Sequence, residues 1–115
     1  MIGVEARLKS GIWVQALIRR CDLAAIGVAV VARGDSDAGA ILLKLSGRDR
    51  LCTVLAQARR PDGALVWMRA TGAAPVAEAD ADAYIARQRG RDPDLWVIEI
   101  ESESPDSVLD TPVVS

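Results

Sequence analysis

Residues 79–101 limit the possible folds of this chain more than any other stretch. Asp80 and Asp82 stand where a helix would begin, and Arg87, Arg89 and Arg91 where it would end. Both placements complement the helix dipole. Pro93 then forbids continuation. Beyond it, Trp96, Ile98 and Ile100 alternate with Val97, Glu99 and Glu101, the two-residue period of a strand. The segment reads as a helix over 77–89 followed by a strand. That strand turns Trp96, Ile98 and Ile100 inward, and Leu95, Val97, Glu99 and Glu101 outward.

The rest of the chain supplies one more helix and four more strands. Ser10 is a good N-cap for a helix running to Leu23. Its polar stripe is only Gln15, Arg19 and Asp22, so most of its circumference needs cover. Residues 26–33 are apolar on both alternating faces, which suits a central strand covered on both sides. Residues 34–39 form a loop by composition. Strands follow over 40–46, 51–59 and 65–70, separated by the turns Gly47-Arg48-Asp49 and Pro61-Asp62-Gly63. The order is α-β-β-β-β-α-β. Short turns between consecutive strands imply an antiparallel β-meander, and two helices packed on one of its faces give an α+β fold. The domain spans residues 1–103, and the acidic, Ser- and Pro-containing segment 104–115 reads as a disordered tail.

Composition excludes several functions. The chain has 115 residues, half of them hydrophobic, and no histidine. That suits one domain with an adequate core, and rules out Ser-His, Cys-His or imidazole-metal chemistry within this chain alone. Net charge is −2. Without Glu103, Asp106 and Asp110 near the C-terminus the body is close to neutral, unlike the basic platforms that bind nucleic acid. No apolar run reaches the length of a membrane helix and no signal peptide is visible, so a cytoplasmic location is expected. Cys21 and Cys52 each lie in an apolar run and read as buried free thiols. No phosphate-binding glycine motif occurs, and no cofactor is implied. Trp13, Trp67 and Trp96 read as large core fillers.

The most site-like segment is Arg33-Gly34-Asp35-Ser36-Asp37-Ala38-Gly39, with Lys44 on the following strand. Asp35 and Asp37 are candidate ligands for a hard cation, but the later bidentate Glu of a calcium loop is missing. Backbone N–H groups at the glycines, with Arg33 and Lys44, are the alternative, suited to an anion. The structural reading is a loop whose Asp side chains bond their own backbone. A nuclease-like core would need Asp/Glu-x-Lys on a strand to hold a metal and activate water. Here the strand reads Leu42-Leu43-Lys44, with Leu42 where the carboxylate belongs.

Several blocks carry a resemblance. They are Ala6-Arg7-Leu8-Lys9-Ser10-Gly11-Ile12-Trp13-Val14; Gly34-Asp35-Ser36-Asp37-Ala38-Gly39-Ala40; Val66-Trp67-Met68-Arg69; and Asp80 through Gln88 continuing to Asp92-Pro93-Asp94-Leu95-Trp96. Over residues 5–103 the chain resembles a family of short, mostly alphaproteobacterial proteins known only as a domain of unknown function. The resemblance implies a small standalone bacterial domain. It carries over no activity, ligand or catalytic residue.

With no catalytic constellation and an unusually apolar first helix, the sequence points to a non-enzymatic module. Such a module would associate with itself, as a homodimer, or with a protein partner. The alternatives are a small-molecule or divalent-metal-dependent activity at the Asp35/Asp37 loop, and a degenerate nuclease-like nucleic-acid binder.

Overall fold

The structure, a computed structural model, describes residues 8–104, 106, 108, 109 and 111–114. The elements are α1 (Ser10–Leu23), β1 (Val28–Ala32), β2 (Ile41–Ser46), β3 (Leu51–Arg59), β4 (Leu65–Arg69), β5 (Val76–Ala77), α2 (Glu78–Arg91), β6 (Trp96–Ile100) and β7 (Val113–Val114). The fold is α+β, with two helices and one sheet ordered β1-β6-β2-β3-β4-β7, and β5 alongside β3.

The sheet is mixed, which corrects the all-antiparallel meander. β2, β3 and β4 do form a meander, but β6 inserts between β1 and β2 and runs parallel to β2. Residues 26–33 were expected to form a central strand; β1 instead lies at the edge. Both strands are apolar, but β6 carries Trp96, Val97, Ile98 and Ile100 where β1 carries only Val and Ala. Placing the bulkier strand in the middle removes more apolar surface from water.

The helices lie on opposite faces, not on one. Ile41, Leu43 and Leu45 of β2 sit beside Trp96, Ile98 and Ile100 of β6 and pack with Val14, Leu17 and Cys21 of α1. Leu42 and Val97 point the other way and pack with Ala81 and Ile85 of α2. Trp96, Ile98 and Ile100 are buried as expected, but so are Leu95 and Val97, which were expected to face out. A sheet whose two middle strands are apolar on both faces needs a layer on each side.

Ser10 is the first helical residue rather than the cap. Its N–H and that of Gly11 donate to the carbonyls of Asp37 (3.4 Å) and Ser36 (2.9 Å), and its hydroxyl donates to the Gly39 carbonyl at 2.5 Å. The loop therefore satisfies helix donors that a side-chain cap would otherwise serve.

The described part of segment 104–115 departs from the expected disordered tail. Val108 and Leu109 are buried in the α1-side core. Arg20 Nε donates to the Val108 carbonyl at 2.7 Å, and β7 pairs in parallel with β4. The net charge of the segment masked its few apolar residues, of which Val108 and Leu109 join the core between α1 and the sheet.

Leu109→Ala should therefore destabilise the protein by about 2–4 kcal/mol, the usual cost of truncating a core leucine. Urea denaturation at neutral pH measures this. An unchanged midpoint would mean that the tail contributes nothing to the core.

Candidate functional site

The loop expected to hold a site is largely occupied with structure. Asp35 Oδ2 accepts the N–H groups of Asp37 (3.2 Å) and Ala38 (2.8 Å). The Asp35 N–H donates to the Asp94 carbonyl at 2.9 Å, and its own carbonyl accepts the Trp96 indole N–H at 2.8 Å. A Cβ on Gly34 or Gly39 would collide with that same Asp94 carbonyl. The glycines are there because the loop lies directly against the chain entering β6, not because an anion approaches.

The four candidate residues do not converge. Arg33 lies over the Trp96 ring, with its guanidinium carbon 5.4 Å from the ring centre. Asp37 is exposed, 3.7 Å from Lys9, an ion pair of little energetic consequence. Asp35 is committed to the loop backbone. Lys44 is on the opposite face of the sheet, because it shares that face with Leu42.

Arg33 and Asp37 do border a second feature. A groove of about 270 Å³ runs between α1, β1 and the loop, lined by Ile12, Ile18 and Val30, with Trp96 also in its wall. Ile12 is 52% exposed and Val30 38%. Through Val30 this groove adjoins β1, the strand that ends the sheet among the described residues.

Lys44 itself is the centre of a constellation that the sequence reading missed. Its side chain is only 7% exposed, on a central strand. Its ammonium donates to Glu78 Oε2 and Asp82 Oδ1, both at 2.8 Å, and Glu99 Oε1 lies 3.9 Å away. Ser46 donates to the other Glu99 oxygen at 2.7 Å. Glu99, expected to face water, is thus half-buried in an ion network. Glu78 and Asp82 are spaced i, i+4 on α2, so they share one face. That spacing, beside a lone Lys in an apolar strand, was the available signal.

Burial alone would lower the Lys44 pKa. Hydrogen bonds to Asp82 and Glu78 and the charge of Glu99 outweigh it, and hold the pKa above the ordinary 10.5. An ammonium held this firmly is neither a base nor a nucleophile near neutrality. It pins α2 to the sheet. Among the described residues, no group of three His, Cys, Asp or Glu side chains is arranged to hold a metal ion, and no helix is long and apolar enough to cross a membrane. Both cysteines are buried and free. Burial pushes the Cys21 thiol up, against the opposing charge of Arg20.

A family model described as a protein of unknown function, DUF1491, matches residues 8–110. The chain belongs to this family. The match reaches past residue 103 into the segment that packs on α1. A crystal structure of a DUF1491 family protein from Caulobacter crescentus is 38% identical and superposes with a TM-score of 0.83, covering 94% of this chain and 100% of the other. An NMR structure of a DUF1491 family protein from the same organism is 39% identical, with a TM-score of 0.81 over 96% of this chain and 100% of that one. The solution structure of protein Atu0922 from A. tumefaciens is 30% identical, with a TM-score of 0.76, covering 92% and 95%. The sources are alphaproteobacteria, as the resemblance implied. A search of curated proteins finds no match. The family is one of unknown function, and the solved relatives assign no activity.

The ion network has a pH signature. A lysine whose folded pKa is raised contributes stability that is complete below its unfolded pKa and is lost as pH climbs past it. Stability should therefore fall as pH rises beyond 10.5. Lys44→Met should weaken that alkaline loss. At pH 7 it should cost about 1–3 kcal/mol, less than a fully buried pair because Glu78 and Asp82 are half exposed. Denaturant titrations of both proteins from pH 7 to about 11.5, around the ordinary lysine pKa, test this. Parallel curves would show that Lys44 does not carry the alkaline transition.

Proposed function

We propose that this protein is a non-enzymatic self-association module, with β1 as its contact strand. The supporting observation is the outer edge of β1. This five-residue strand, Val-Ala-Val-Val-Ala, ends the sheet. It carries no charge and no proline, two of the devices that blunt an edge. It does carry a register shift between Val30 and Ala32, which locally interrupts the ladder. Val31 is 55% exposed.

Less of α1 is left uncovered than its composition suggested. Val108 and Leu109 cover part of that helix, and Trp13 packs on Trp67 with ring centres 5.6 Å apart. Ile12 remains exposed and lines the groove beside β1. An exposed apolar edge and an adjoining apolar groove together suit one added strand, with backbone groups pairing along the edge and side chains entering the groove. A second copy brings both at once. β1 against β1 of a partner is antiparallel under two-fold symmetry, and each groove receives the same residues from the other chain. Cytoplasmic location is part of the same reading, since both thiols are free and no structural disulfide is needed.

Light scattering at tens of micromolar should give a dimer, with a contact above about 1,000 Å² in total. Val31→Lys places a charge on the edge without touching the core and should shift the protein to monomer with its fold intact. A wild-type monomer at that concentration would overturn the proposal. So would a dimer that Val31→Lys leaves unaffected.

A further inference from the structure

We propose that the cleft between the start of α1 and the β3–β4 hairpin binds a small, flat, anionic aromatic molecule. The cleft measures about 630 Å³, within the range of small-molecule sites. It lies at the end of β1-distant strands β3 and β4, so it is separate from the β1 edge and does not depend on association.

Its walls suit a flat apolar body. Trp13 forms one side, and its ring is held by Trp67 behind it at a 45° tilt. Leu65, at the start of β4, and Leu8, 60% exposed, add aliphatic surface. A planar ring against a fixed indole is the arrangement that aromatic pairs favour.

Two polar side chains of the cleft, Gln57 and Arg59, offer donors. Gln57 Oε1 already accepts the Ile41 N–H at 3.2 Å, which leaves its amide N–H groups without a partner among the described residues. Arg59 uses one nitrogen on the Gly63 carbonyl at 2.6 Å, and its other donors have no partner among the described residues. The Ser10 hydroxyl is committed to Gly39. Asp37 stands at the rim as the one opposing charge. It is 75% exposed and 3.7 Å from Lys9, so solvent screens most of its charge. A site whose unpartnered amide and guanidinium groups can only donate favours a ligand that brings acceptors. The guanidinium favours a carboxylate or a similar planar oxyanion.

The test uses naphthalene-2-carboxylate as probe and the neutral 2-naphthalenemethanol as control, followed by amide and indole shifts in NMR. The acid should give saturable shifts at Trp13, Gln57, Arg59 and Leu65. It should bind about tenfold more tightly than the alcohol, the scale of one charge-assisted hydrogen bond. Arg59→Gln, at an exposed position, should bring the acid down to the affinity of the alcohol and leave the alcohol unchanged. Arg59→Lys should retain part of the preference. The proposal is overturned by an absence of saturable shifts up to about 5 mM, the weak limit of specific small-ligand binding. Equal affinity for acid and alcohol, or shifts centred on Ile12 and Val30 instead, would overturn it as well.

Discussion

The parallel pairing of β2 with β6 is the contact on which the rest of the molecule depends. It sets Ile41, Leu43 and Leu45 beside Trp96, Ile98 and Ile100 on one face, and Leu42 beside Val97 on the other. Neither face tolerates water, so each takes a helix. α1 covers the first and α2 the second. Insertion of β6 also displaces β1 to the edge, which leaves a short apolar strand with one side unpaired among the described residues. The two-sided core and the exposed edge thus have a single cause.

The same pairing places Lys44 next to Glu99, and α2 brings Glu78 and Asp82 over them. A lysine on the middle strand of a sheet is costly unless its charge is matched. Here it is matched by carboxylates that still reach solvent, so desolvation falls mostly on the lysine. An apolar side chain at position 44 could pack against α2 anywhere along its surface. An ammonium that must meet Glu78 and Asp82 fixes where the helix sits and how it is rotated. The network specifies geometry more than it adds stability.

The loop between β1 and β2 shows how a site-like composition arises for structural reasons. Gly34 and Gly39 admit the Asp94 carbonyl. Asp35 organises the turn, and Ser36 and Asp37 offer carbonyls to the start of α1. One short segment thereby ties α1, β1 and the entry to β6 together. The two openings of the α1 side flank this junction: the groove beside β1 and the larger cleft toward the β3–β4 hairpin. Both take their shape from the loop, though neither uses Asp35.

The sequence by itself determined the local structure: the extent of α1 nearly to the residue, α2 with its charged ends and Pro93 stop, the β2-β3-β4 meander and the inward set Trp96, Ile98 and Ile100. These follow from periodicity, dipole complementarity and turn chemistry, which act over a few residues. The blocks around Trp13, Trp67 and Trp96 were also enough for the family. Tertiary structure alone decided which strand lies in the middle, on which face each helix packs, and that Val108 and Leu109 close the core. Two strands with similar apolar patterns compete for one central place, and only their total burial against everything else decides between them. Lys44 shows the same limit in the candidate site. Its two neighbours in sequence are leucines, while its carboxylate partners lie 34, 38 and 55 residues away, and no local pattern can report a contact that the sheet order creates.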